Sequence, residues 1–152
     1  MEYKNSVHPT KDQMEGFLEG DTDTPIAMVN LLKFKEKAEY EDGRDTDLTG
    51  EQAYAIYGKE VIGHLKKVGG EWSFGGSISR LMLGEVEELW DTVAVARYPS
   101  RKAMLKMVTD PDYLESNKHR IAGSRHTDSA VWKACDSRKT TNGCCACSRF
   151  ES

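Results

Sequence analysis

Two histidines, one asparagine, two tyrosines and two arginines are the side chains of this sequence best placed to do chemistry. His64 and His119 titrate near neutral pH and suit general acid–base work. His64 shares the apolar stripe of a helix with Tyr57 and Val61, where packing is the competing role, because nothing near it in sequence supplies an orienting carboxylate. His119 lies roughly opposite the helix face defined by Leu114, Asn117 and Ile121, so it points to a partner subunit or to the loop before Thr49. Asn30 shares a strand face with Ile26, Met28, Leu32 and Phe34. A buried amide must be hydrogen-bonded, either to backbone or to the carbonyl or dioxygen of a ligand it orients. Tyr54 and Tyr57 are neighbours on one helix surface, as pocket lining or as packing with wet tips. Arg97, on a strand face with Val93 and Val95, calls for an anionic group or an acidic partner. Arg120 lies nearer the inner flank of its helix and is free to pair with an acid.

The elements that position these residues follow from periodicity. A short helix capped by Thr10 runs from Pro9 to Leu18. Ile26–Lys35 is a strand covered on both faces. Glu36–Gly50 is a polar loop with a turn at Asp42-Gly43, and its acids do not follow the calcium-loop order. Thr49–Val68 is the clearest helix. It carries a capping box from Thr49 to Gln52, a stripe of Ala53, Tyr57, Val61, His64, Leu65 and Val68, and a Gly69-Gly70 stop. Glu71–Leu83 and Trp90–Tyr98 alternate as the two strands of a hairpin, joined by a turn over Gly84–Leu89. Glu85, Glu87 and Glu88 read as solvated surface there, and Trp72 and Trp90 as core or interface. Ser100 caps a helix whose apolar positions are Ala103, Met104, Met107 and Val108. Asp110-Pro111 restarts it as far as about Ser124. Ser129–Ala134 is a last short strand, and His8 and His126 flank the domain as exposed residues.

After the leading helix the order is β-α-β-β-α-β, the split βαβ, ferredoxin-like α+β arrangement. Its sheet is expected to be antiparallel with both helices on one face. The other face is apolar too, and predicts a second copy of the chain.

Composition excludes several classes. The chain has 152 residues, enough for one domain, expected over residues 9–134. Twenty-one basic against 25 acidic residues, a net charge of −4, argue against a general nucleic-acid binder. No apolar run approaches the roughly 18 residues of a membrane span, and Met1–Pro9 is too polar for a signal peptide. The expectation is a cytoplasmic protein with no membrane partner. All four cysteines, Cys135, Cys144, Cys145 and Cys147, lie in the last eighteen residues. Their C-x8-C-C-x-C order is neither a disulfide framework nor a standard zinc spacing. Residues 135–152 read as a flexible tail, with soft-metal binding or thiol oxidation as the alternatives. There is no G-x-S-x-G, phosphate loop or dinucleotide fingerprint, and no metal-ligand cluster in the fold. No cofactor and no metal are expected.

The blocks PIAMVNLLKFK, AEYEDGRDTDLTGEQAYAIYG, WDTVAVARYPSRKAMLKMVTDPDY and HRIAG, in that order, resemble the domain of unknown function 1330 family. The resemblance covers about Pro9 to Trp132. It implies the dimeric α+β barrel superfamily, in which two ferredoxin-like subunits pack sheet to sheet and each holds a pocket between helices and sheet. Relatives there include antibiotic-biosynthesis and haem-degrading monooxygenases, but Asn30, Trp72 and His64 do not align with the haem-degrading motif. Fold alone carries no activity.

The expectation is a small-molecule pocket protein, either a cofactor-independent monooxygenase or isomerase acting on an organic acid or cyclic metabolite. Asn30, Tyr54, Tyr57, Arg97 and Arg120 would then bind substrate, and His64 or His119 would move a proton. The rivals are a non-catalytic ligand-binding or stress-associated homodimer, and a protein whose cysteine tail is the working part.

Overall fold

The computed structural model describes residues 6–133. Four strands and four helices follow in the order α1 (Lys11–Leu18), β1 (Ile26–Phe34), α2 (Gly50–Lys67), β2 (Glu71–Ser77), β3 (Thr92–Tyr98), α3 (Arg101–Val108), α4 (Pro111–Gly123) and β4 (Ser124–Lys133). The sheet order is β2-β3-β1-β4, and every neighbouring pair is antiparallel. This is the expected ferredoxin-like α+β fold. Among the described residues no helix is long and apolar enough to cross a membrane.

The helix starts are written locally. Thr10 with Gln13 and Thr49 with Gln52 form reciprocal capping boxes. The Ser100 hydroxyl accepts from the Ala103 amide, and Asp110 caps a helix with Pro111 in its first turn. Gly69, at φ +75°, turns the chain out of α2 in the left-handed region where a side chain would be strained.

Strand ends differ from the sequence expectation. β2 stops at Ser77 rather than Leu83, and β3 starts at Thr92 rather than Trp90. A strand extends only as far as its partner, and Asp91 ends the partner. Its amide donates to Leu32 O at 2.8 Å, and its carboxylate takes the Phe34 amide at 2.8 Å and Lys33 Nζ at 3.0 Å. Leu81, Met82 and Leu83 are left exposed. β4 begins at Ser124, five residues before Ser129, because Thr127 and His126 pair with Leu32 and Lys33 of β1. His126, expected to be exposed, is consequently buried.

Strand alternation gives the sheet two different faces. Ile26, Met28, Ala96 and Tyr98 pack under Tyr57, Val61 and Leu65 of α2, Met107 of α3 and Tyr113 of α4. Val29, Leu31, Val93 and Val95 look the other way, with Phe74 opposite Val95 and Trp132 opposite Ala27. Phe74 and Trp132 are 59% and 66% exposed.

Two glycines set the approach of α2 to α4. A Cβ on Gly123 would collide with the Gly50 carbonyl and meet the Tyr54 amide nitrogen at 3.0 Å. Gly50 is equally closed in by the carbonyls of Lys35 and Gly123. The backbones therefore touch, and the contact is tied by Lys35 N to Gly123 O at 2.9 Å and Gly50 N to Lys35 O at 3.1 Å. One turn from this crossing stand Tyr54 on α2 and Arg120 on α4.

Candidate functional site

A chamber of about 870 Å³ lies between the sheet and the helices. Its floor is Met28, Asn30, Leu32, Ala94, Ala96 and Tyr98, with Thr127 and Ser129 along one side. Tyr54, Tyr57, Val61 and Leu65 of α2 and Met104 and Val108 of α3 form much of the wall. The volume and the mix of apolar wall with few polar groups are those of a small-molecule site.

The roof is the N-terminal segment, residues 6–9 and α1, which contributes Val7, Met14 and Phe17. Helix α1 has no fully buried residue; Phe17 packs half-buried against the core, and hydrogen bonds add to the hold on the segment. Arg101 Nη1 donates to Phe17 O at 3.0 Å and Glu19 O at 2.9 Å, and its guanidinium stacks over the Phe17 ring. Arg120 Nη2 donates to Val7 O at 3.2 Å, and the Thr127 amide to Ser6 O at 3.0 Å.

Four of the seven residues singled out in the sequence, Asn30, Tyr54, Tyr57 and Arg120, line this chamber. Asn30 is on the floor. Its Nδ2 donates to Ala94 O at 3.3 Å and Met28 O at 3.5 Å, and its Oδ1 accepts from the Ser129 hydroxyl at 2.6 Å. The amide is thus fixed by the sheet in one orientation. Tyr54 packs between Phe34 and Tyr57, with ring centroids 5.3 and 5.4 Å away. Tyr57 Oη lies 3.3 Å from Tyr113 Oη. Arg120 lies on the wall, with Nε donating to Asn117 Oδ1 at 2.6 Å. His64 comes near only through Tyr113, whose ring meets it edge to face, and it does not line the chamber.

Both histidines and Arg97 lie outside the chamber lining. His64 is buried between α2 and α4, with Nε2 2.9 Å from Ser116 Oγ, because its stripe on α2 faces the neighbouring helix at that turn. His119 sits in a separate polar groove of about 210 Å³, among Arg44, Glu60, Glu115, Ser116 and Lys118. Its Nδ1 is 2.6 Å from Tyr40 Oη in the loop before Thr49, the loop its helix position indicated. Arg97 is on the opposite face of the sheet, exposed, with Nη1 3.7 Å from Glu71. Val93, Val95 and Arg97 do share a face, but the chamber lies against the other one.

The phenols of the chamber stay protonated. Burial pushes Tyr54 up to about 12, against a smaller downward pull from the Arg120 charge. Burial likewise raises Tyr98, and raises Tyr57 well above the ordinary range with Tyr113 adding to it. They are hydrogen-bond donors at any physiological pH. Among the described residues Tyr54 and Tyr98 make no hydrogen bond through their hydroxyls, and Thr127 Oγ1 is buried without a partner. Tyr98, Tyr113, Thr127 and Arg101 were not singled out in the sequence. A tyrosine alternating with Ala94 and Ala96 was a legible signal for Tyr98; Thr127 sits in a stretch with no strand signature.

Among the described residues no group of three or more His, Cys, Asp or Glu side chains is placed to hold a metal. The four cysteines and the tail that carries them lie outside the described residues.

The chain is similar to a solved Rhodopseudomonas palustris protein of unknown function, RPA0582. The two are 32% identical over 87% of this chain and 98% of that one, with a TM-score of 0.77. A methylated form of the RPA0582 protein gives 35% identity over 89% and 98%, with a TM-score of 0.78. A cofactor-independent oxygenase of Streptomyces nogalater, SnoaB, is 11% identical over 78% and 97%, with a TM-score of 0.48. No family model and no curated protein matches the chain.

Proposed function

For a chain that belongs to the family of the Rhodopseudomonas palustris RPA0582 protein, we propose a small-molecule-binding role exercised as a homodimer. The observation that carries it is the chamber itself. It is roofed by a segment with no fully buried residue, walled largely by apolar side chains, and supplied with a few polar groups that have no partner among the described residues. An organic acid or a cyclic metabolite suits its size and its aromatic wall of Tyr54, Tyr57 and Tyr98. The ordered blocks resembling domain of unknown function 1330 support the same reading. So does the uncovered apolar sheet face of Val29, Leu31, Val93, Val95, Phe74 and Trp132, which a second subunit would cover.

A catalytic form, monooxygenation or isomerisation without a cofactor, draws on one feature. Neutral phenols of Tyr54 and Tyr98, in the same chamber as the fixed amide of Asn30, can donate to an oxygen that gains negative charge. His64 and His119, outside the chamber, would have to act through Ser116 and Tyr113 or through Tyr40, so they enter this proposal as positioning residues. A tail-dependent redox or metal-binding role rests on Cys135, Cys144, Cys145 and Cys147 and is independent of the chamber.

Native mass spectrometry of protein purified under reducing conditions tests the reading. A species of twice the chain mass, carrying a small-molecule adduct that leaves on denaturation, is the expected result. A monomer, or a metal adduct lost when residues 135–152 are removed, would contradict it.

A further inference from the structure

The polar groups of the chamber are not evenly spread. Arg120 and Thr127 hold the carbonyls of two consecutive residues, Val7 and Ser6, so they stand side by side at one end. A guanidinium has five N–H donors. In Arg120 one goes to Asn117 and one to Val7, and no carboxylate of the described residues lies within ion-pair distance. Arg120, Tyr54 and Tyr57 line the same chamber. Thr127 Oγ1 is buried and unpartnered at the same end. The other end is apolar: Val61 and Leu65 of α2, Ala96 of β3, Met104 and Val108 of α3.

Arg101, the other chamber arginine, also has no carboxylate within ion-pair distance among the described residues, and its Nε is buried without a partner there. What sets it apart is that its Nη1 bonds the Phe17 and Glu19 carbonyls and its plane rests on Phe17, so it secures the roof. Asp128, the carboxylate in the chamber lining, accepts from Trp90 Nε1 and makes no ion pair with Arg120. A half-buried cation with unused donors and no ion-paired carboxylate among the described residues is costly to keep unless something negative joins it. Arginine presents those donors as a planar fork that matches a carboxylate.

We infer that the chamber takes a small amphipathic carboxylate, its anionic end on Arg120 beside the hydroxyls of Thr127 and Tyr54, its apolar body along the α2–α3 wall. This rests on the small-molecule reading above and names the ligand class for it. The same guanidinium holds the roof at Val7, so the ligand's charge and the closure of the N-terminal segment meet on one side chain. An anion there steadies the arginine in the position that clasps the roof, and a neutral ligand of the same shape does not.

The test is titration calorimetry with a matched pair, 2-naphthoate and 2-naphthamide, which differ in charge and hardly in shape. The native protein is expected to prefer the acid by about tenfold to hundredfold, the span of one charge-assisted hydrogen-bond set. Arg120→Gln should erase that preference and leave amide binding in place. Arg120→Lys, which keeps the charge and loses the fork, should retain part of it; this variant also serves if the glutamine variant does not fold. Equal binding of acid and amide, or a preference that survives Arg120→Gln, would overturn the anion seat and leave the chamber reading standing. Binding of neither compound would overturn both.

Discussion

Substituting Gly123 by alanine adds one methyl group at the point where α4 crosses α2. In an exposed helix the change would favour folding by up to about 1 kcal/mol. Here the methyl meets the Gly50 carbonyl and the Tyr54 amide nitrogen, both backbone atoms that no rotamer change can move aside. Overpacking of this kind costs about 1–3 kcal/mol. The clash outweighs the propensity, and a net loss of about 1–2 kcal/mol lowers the melting temperature by about 2–8 °C in a chain of this length. Because Tyr54 is four residues from Gly50 and Arg120 three from Gly123, parting the helices also displaces the polar end of the chamber. Circular dichroism melts of Gly123→Ala, Gly50→Ala and the double variant are the assay. The two losses should fall short of adding, since the first methyl already separates the helices. A Gly123→Ala protein that melts at or above the native temperature would refute the packing argument.

Ser116→Ala leaves buried His64 Nε2 without its partner and should cost about 1–3 kcal/mol in a denaturant titration, with naphthoate affinity unchanged because neither residue lines the chamber. A drop in affinity without a drop in stability would move His64 into the working site. Tyr54 holds its proton in the folded state to about 12 against an ordinary value of 10.0, so its contribution to stability is complete below pH 10 and is lost as pH rises through 12. Alkaline unfolding followed by tyrosinate absorbance should therefore begin above pH 10, and Tyr54→Phe should weaken its pH dependence; an unaltered profile would count against a buried phenol. Val95→Asp puts a charge in the middle of the uncovered sheet face and should convert the proposed homodimer to a monomer by light scattering, with the far-ultraviolet spectrum retained. A dimer that survives it would place the interface elsewhere.

The helix starts were legible because capping is a local code: Thr49 and Gln52, or Asp110 and Pro111, carry their hydrogen bonds within four residues. The strand order followed from the element sequence. What was not legible is which of two apolar sheet faces holds the chamber. Val93, Val95 and Arg97 alternate with Ala94, Ala96 and Tyr98, and both sets read as buried; only the packing of α2 and α4 decides between them. That is why Arg97 pointed to a pocket it does not reach. His64 lies off the chamber for a related reason, since one helical stripe serves the sheet at Tyr57 and the neighbouring helix about two turns later. The start of β4 was hidden because Ser124–Asp128 is polar and is made a strand by pairing with β1. Arg120 was recognisable as an inward-flank cation, but its missing counter-charge is a property of the folded neighbourhood.

The chamber can be tested by where a bound molecule is felt. Six methionines are spread over the chain, and carbon-13 labelling of their methyl groups gives six probes. Met14, Met28 and Met104 line the chamber, whereas Met82 is 88% exposed on the β2–β3 loop and Met107 is buried away from the cavity. Titration with 2-naphthoate and with 2-naphthamide should shift the resonances of Met14, Met28 and Met104 together and leave Met82 in place. Shifts confined to Met82, or none at all with either compound, would contradict the claim that this protein works by enclosing a small molecule between its sheet and its helices.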